Sequence, residues 1–239
     1  MDINGSVVVI TGASSGIGAA TARAASAAGA RLVLAARRED RVQALAAELG
    51  QAIAVRADVT DADDVARVAK AALDAYGRID VLVNNAGQGL QATVEQLAVE
   101  DFRAVLDLNV VAPLAMMQAV LPAMRSRGAG SIVNVSSGTT FADVPGTGGY
   151  VASKIALERL SAIARNELEG TGIAVSTVIP FATSTEFLTS IRAGRDDALA
   201  MTAGADFDTP EQVADAILEL IRTGAPRLDL VPAAYGGSR

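Results

Sequence analysis

The sequence has 239 residues, enough for one well-buried α/β domain, and 51% apolar against 20% charged residues marks a chain that folds. With neither histidine nor cysteine, it excludes Ser-His-Asp chemistry, thiol nucleophiles, disulfides and zinc sites of the usual type, so no metal is expected. A net charge of -7 without a basic block speaks against nucleic acid or an anionic membrane as partner, and the missing cysteines fit a reducing cytoplasm.

The opening Met-Asp-Ile-Asn-Gly-Ser lacks the basic and apolar segments of a secretion signal, and no leader is expected. The β-branched run Val7-Val8-Val9-Ile10 predicts a buried strand over 6–10. Gly12, Gly16 and Gly18 follow it and lead into an alanine-rich helix that reaches about Ala28. Glycines there permit a tight turn and the approach of backbone to a pyrophosphate, whose charge the helix N-terminus favours. A second strand spans 31–36 and ends in Ala35-Ala36-Arg37-Arg38. It lacks the carboxylate that would accept from an adenosine ribose, whereas Arg37 suits a 2′-phosphate; this predicts NADP(H) over NAD(H).

A helix to Leu49, a third strand over 52–56 and an amphipathic helix over 61–76 come next. The fourth strand, 80–83, is stopped by Asn84-Asn85-Ala86-Gly87. Helical patterns fill much of 94–124, where Asp107, Asn109, Pro113, Gln118 and Pro122 interrupt the apolar run and make it a poor membrane span. The fifth strand covers 131–135, and a long helix then runs to about Leu168. A sixth strand over 173–179 breaks at Pro180; mixed helix and loop lead to a helix over 210–221 and a last strand near 228–231.

The long helix carries Tyr150 and, four residues on, Lys154. Such a pair shares one helix face, and the usual occurrence of that spacing is a solvated surface pair. Here the only lysines are Lys70 and Lys154. An ammonium ~4 Å from the phenol, at an effective dielectric of ~20, favours the phenolate by up to ~4 kcal/mol. The expectation is a Tyr150 pKa drawn down from ~10 toward neutrality, where a general acid/base works best.

Strands and helices alternate, and the strands are continuously apolar. This predicts an α/β fold, a doubly wound parallel sheet of about seven strands with helices on both faces, in a single domain over 1–239. Ligands of such sheets bind beyond the carboxyl ends of the strands. The loops after the first, second, fourth, fifth and sixth strands hold the unusual residues.

Together these features resemble the short-chain dehydrogenase/reductase family over nearly the whole chain. Thr11 to Gly18 is similar to its Thr-Gly-x-x-x-Gly-x-Gly loop, and Asn84 to Gly87 to its Asn-Asn-Ala-Gly signature. The resemblance implies a Rossmann-type fold and a catalytic tetrad of Asn109, Ser137, Tyr150 and Lys154. It implies cofactor contacts from Gly12, Ser14, Ser15, Gly16, Ile17, Gly18, Arg37, Arg38, Asp58, Val59, Asn85, Ala86 and Gly87, and from Tyr150, Lys154, Pro180, Thr183 and Thr185. In carbonyl reduction Tyr150 would give the proton, Ser137 would hold the carbonyl oxygen, Lys154 would depress the Tyr150 pKa and bind the nicotinamide ribose, and Asn109 would support a water-linked proton path.

The chain departs from the family after the sixth strand, where Phe181 stands in place of the usual glycine and cannot cheaply take a left-handed conformation. Candidate pocket stretches are 88–91, 138–144 and 181–201, with a substrate loop around 181–209 that can close over the cofactor. They mix Leu90, Phe141, Phe187, Leu188, Ile191 and Met201 with a few polar groups, which suits a moderately apolar carbonyl or alcohol. The apolar surface of the Tyr150 helix is too broad for one covered face, and with the resemblance it points to a homodimer or homotetramer. An epimerase or lyase using bound cofactor, or a dinucleotide-binding regulator, stands as the alternative to a cytoplasmic oxidoreductase.

Overall fold

Seven parallel strands form a single sheet in a computed structural model that describes residues 1–201 and 207–239. They are β1 (Val7–Thr11), β2 (Arg31–Ala36), β3 (Ala52–Arg56), β4 (Val81–Asn84), β5 (Gly130–Val135), β6 (Ile173–Ile179) and β7 (Arg227–Asp229). Their order across the sheet is β3-β2-β1-β4-β5-β6-β7, with Val9 opposite Val33 on one side and Leu82 on the other. The chain winds outward from β1 in one direction, returns, and winds outward from β4 in the other. The helices are α1 (Gly16–Ala27), α2 (Glu39–Leu49), α3 (Ala62–Tyr76), α4 (Val99–Leu106), α5 (Ala112–Arg127), α6 (Gly148–Glu167), α7 (Arg195–Met201) and α8 (Pro210–Thr223).

The unbroken apolar strands have a direct cause: both faces of the sheet are covered. Val8 and Ile10 of β1 join a core with Val213, Ile217 and Leu220 of α8, while Val7 and Val9 join one with Val68 of α3 and Met116 and Val120 of α5. Alternate residues therefore serve different layers, and a polar residue at either parity would face a packed helix. Asp61 caps α3 by accepting from the Asp63 and Asp64 N–H groups, and Thr209 with Gln212 forms a capping box on α8.

Two parts of the expectation shift. The last strand lies at Arg227–Asp229, where β6 supplies a partner, a little before the anticipated 228–231. The helical run begins at Val99 and is not uniformly α: a π turn occupies Asp107–Val111 between α4 and α5. By length and composition Val99–Arg127 is apolar enough to cross a membrane, yet Val105, Met116, Met117, Val120 and Met124 are buried within the protein. Exposed apolar residues remain on this pair of helices at Val111 and Leu114, and on α6 at Ile155 and Ile163. Of the anticipated substrate loop, residues 202–206 lie outside the described residues, as does the Met201 side chain.

At the edge of the sheet opposite the strands' carboxyl ends, Asp80 is fully buried. It accepts two hydrogen bonds from Arg78 at 2.7 Å, one from the Val7 N–H at 2.8 Å, and pairs with Arg127 at 3.2 Å. This carboxylate ties the start of β1 to the start of β4. Asp80→Ala is expected to cost about 3 kcal/mol by leaving a buried N–H and two cations without their acceptor. Urea unfolding would show this against Asp74→Ala, at an exposed pair with Lys70, which should cost less than about 1 kcal/mol.

Candidate active site

Between β1 and β4 the winding reverses, so the loops beyond these strands diverge and leave a crevice. A cleft of about 680 Å³ opens there. All the residues anticipated for catalysis and cofactor binding line it except Gly18 and Asn109, which lie just behind its wall; of the anticipated pocket side chains, Phe141 does not line it and instead has the Arg227 guanidinium over its ring. Three structural units build it.

The first is the glycine turn. Thr11 Oγ1 accepts from the Asn85 and Ala86 N–H groups at 3.1 Å, and Asn85 Nδ2 donates to the carbonyls of Thr11 and Gly12. The end of β1 is thereby stapled to the end of β4. Gly18 is required by contact: a Cβ there would come within 2.5 Å of the Gly12 carbonyl oxygen and 2.6 Å of Asn85 Nδ2. Gly12 and Gly16 have positive φ, which suits glycine. Ser15, the N-cap of α1, makes no side-chain cap, so first-turn N–H groups stay available to an external anion.

The second is the basic lip after β2. Arg38 donates to Ser14 Oγ at 3.0 and 2.9 Å, to Ser15 Oγ at 2.5 Å and to Glu186 at 2.7 Å. Arg37 lines the cleft but forms no hydrogen bond or ion pair among the described residues. Asp58, beyond β3, accepts from the Thr60 N–H and hydroxyl and donates its own N–H to Asp64. An uncapped helix start and a guanidinium resting on two loop hydroxyls form a donor set that fits the phosphates of a dinucleotide.

The third unit is the polar cluster between β5 and α6. Tyr150 and Lys154 are both buried, and Lys154 Nζ donates to the Val135 carbonyl at 2.9 Å. The ammonium sits 5.8 Å from the centroid of the Tyr150 ring. Asn109 is held in the π turn, where its Oδ1 accepts from the Gln88 N–H and its Nδ2 donates to the Gln88 carbonyl and to Ser153 Oγ. Ser153 in turn donates to the Tyr150 carbonyl at 2.6 Å. A Cβ at Gly87 would meet Asn109 Oδ1 at 3.2 Å and Lys154 Nζ at 3.4 Å, which places the Asn-Asn-Ala-Gly end against both.

One electrostatic expectation is corrected. The Tyr150 phenol is not drawn down by Lys154; burial pushes it up to about 12, with a hydrogen bond to Ser137 pulling the other way. Burial also lowers Lys154 to about 8, opposed by the carboxylate of Glu158 one turn on. Removal of both charged forms from water outweighs their mutual effect, because the lysine is turned to a backbone carbonyl. Tyr150 thus stays protonated, and Lys154 is the group that titrates near physiological pH.

Phe181 takes no left-handed φ, and its ring packs on Tyr235 from the C-terminal turn, centroids 5.1 Å apart. Thr183 Oγ1 is turned to the Phe181 carbonyl, while Thr185 faces the glycine turn, its side chain 3.0 Å from where a Gly16 Cβ would stand. Phe187 packs on Tyr150 at 5.7 Å. Four contributors escaped the sequence reading: Ser153, Glu158, Glu186 and Tyr235. Glu158 accepts from Ser136 and Thr140 and joins the Ser137 turn to α6. The partners of all four include residues far away in sequence, so no local spacing marked them; only Ser153, inside the Tyr150–Lys154 interval, had a positional cue.

Comparison with known proteins agrees with this geometry. Residues 6–196 match the model of the short chain dehydrogenase family. Sulfoacetaldehyde reductase 2 of Chromohalobacter salexigens is 39% identical over 220 residues, 90% of this chain and 86% of the relative. A short chain dehydrogenase/reductase from Burkholderia phymatum, solved in complex with NAD, superposes with a TM-score of 0.92 at 27% identity, covering 99% of this chain and 92% of that one. An alcohol dehydrogenase from Thermococcus sibiricus complexed with 5-hydroxy-NADP gives 0.82 at 29%, covering 94% and 95%.

Gly18→Ala places a methyl group against the Gly12 carbonyl and the Asn85 amide. It is expected to weaken dinucleotide binding at least about tenfold by shifting the turn. Calorimetric titration with NADPH would measure it.

Proposed function

The chain belongs to the short-chain dehydrogenase family, and from that premise we propose that it is an NADP(H)-preferring oxidoreductase of carbonyl and secondary alcohol substrates, with Tyr150 as general acid/base. The observation that carries this reading is the meeting of Ser137, Tyr150 and Lys154 with the glycine turn in one cleft. The dinucleotide would be held by the turn Gly12–Gly18, by Arg37 and Arg38 at the adenosine end, and by Lys154, Thr183 and Thr185 nearer the nicotinamide. When bound, it supplies or accepts the hydride.

The protein's own groups manage the oxygen and its proton. Ser137 and Tyr150 share a hydrogen bond, so both hydroxyls converge on the position a substrate oxygen would take. Tyr150 transfers its proton to that oxygen as charge develops. Lys154 stabilises the phenolate left behind, and protons return through the cluster that Asn109 and Ser153 keep in place. The apolar wall of Leu90, Phe187 and Ile191 excludes water from the oxygen and suits an uncharged organic substituent.

Preference for the 2′-phosphate rests on Ala36, Arg37 and Arg38, which offer cations and no carboxylate at the end of β2. Arg38 is the stronger candidate because Ser14 and Ser15 already fix its guanidinium. The exposed Ile155 and Ile163 of α6, with Val111 and Leu114 beside α5, support association with a second copy through these helices.

Tyr150→Phe is expected to bind NADPH as before and lose reduction by about 10²-fold or more; full activity with a carbonyl panel, read at the NADPH absorbance, would overturn the assignment. In the unaltered protein, reduction should be flat below pH 7.5 and fall above about 8, where Lys154 gives up its proton while Tyr150 keeps its own. Arg38→Ala should weaken NADPH about tenfold and NADH by less than about threefold, since only the former loses a charge-assisted contact; equal losses measured by calorimetry would remove the preference.

A further inference from the structure

The basic lip is already engaged by a carboxylate from across the cleft. Glu186, in the segment after β6, accepts from Arg38 at 2.7 Å and from Arg41 at 2.8 Å. Arg38 turns its Nε and Nη2 to the hydroxyls of Ser14 and Ser15 and its Nη1 to Glu186, so this carboxylate takes, with Arg41, the edge of the guanidinium that the serines leave to an anion. Its neighbour Thr185 packs against Gly16, and the two residues close the groove between the start of α1 and the start of α2. The pairing holds the Glu186 carboxyl below its ordinary range, through Arg38 first and Arg41 second.

We propose that Glu186 is a cofactor-discriminating latch, whose carboxylate occupies the anion seat made by Arg38 and Arg41 and yields to a phosphate on the adenosine ribose but not to a ribose hydroxyl. The proposal deepens the dinucleotide reading and rests on it. A phosphate monoester brings nearly two negative charges and three acceptor oxygens, enough to satisfy Arg38 and Arg41 after Glu186 leaves. It also repels the carboxylate from the seat. A hydroxyl brings no charge and leaves the Glu186–Arg38 pair the better arrangement. Because Glu186 follows Thr185 directly, displacement of the carboxylate loosens the segment from the glycine turn only when the phosphorylated ligand enters.

The test uses 2′,5′-ADP and 5′-AMP, which differ in the 2′-phosphate alone, titrated by calorimetry into the full chain and its Glu186→Gln variant. Removal of the competing charge should tighten 2′,5′-ADP roughly fivefold or more while 5′-AMP changes less than about twofold. Glu211→Gln serves as control, since Glu211 lines the same groove without a contact to Arg38; it should change neither ligand. An unchanged or weaker 2′,5′-ADP affinity in Glu186→Gln, an equal shift for both ligands, or the same gain in Glu211→Gln would overturn the latch. If the unaltered chain favours 5′-AMP, the NADP(H) reading fails separately, and the latch is then judged by the variant's response to 2′,5′-ADP alone.

Discussion

A parallel sheet covered on both faces has room for polar chemistry only at its ends. In this protein that constraint separates two jobs. At the amino ends of the strands, Asp80 consumes two arginines and a backbone N–H in a purely architectural knot. At the carboxyl ends, Thr11, Asn85, Ser137 and Lys154 emerge from the same apolar strands or from the elements just beyond them. The rigidity that makes the strands continuous in valine, leucine and isoleucine is what fixes these residues relative to one another. Sequence separation then matters little: Asn109 and Ser153, 44 residues apart, touch because each lies on a helix docked to that sheet.

Burial, and not attraction between Tyr150 and Lys154, sets the electrostatic character of the cluster. Both groups lose water, and both shift toward their neutral forms. A phenol that holds its proton firmly and an amine that holds its own weakly divide the labour differently from a phenolate paired with a fixed cation. The phenol keeps its proton over the whole physiological range, while the amine, supported by Glu158, responds to pH.

Much of this was legible in the linear chain. The period of apolar residues gave the order of strands and helices, and the turn chemistry of Gly12 to Gly18 and Asn84 to Gly87 located the cleft. These are signals within a few residues, each with one physical cause. What escaped was long-range or conformational. Glu186 meets Arg38 across 148 residues, and nothing near either announces the other. The pKa values depended on depth of burial and on which way the Lys154 side chain turned, neither of which spacing encodes. Phe181 was seen as an anomaly, but its destination against Tyr235 required the C-terminal turn to be in place.

The wide turn at Asp107–Val111 has a consequence for how the helical run Val99–Arg127 can serve two masters. Each residue of an α-helix advances the azimuth by about 100°, so a single surplus residue re-phases everything downstream. Val105 and Met116, eleven residues apart, would share one face of a regular helix; the surplus residue lets Val105 join Leu90 and Tyr150 while Met116 joins the core under the sheet, with Asn109 between them aimed at the Gln88 backbone and Ser153. Excision of one residue would yield a more regular rod with Val105 and Met116 on one face, no longer able to reach their two separate clusters. Irregularity at this point is therefore a gear between packing and chemistry.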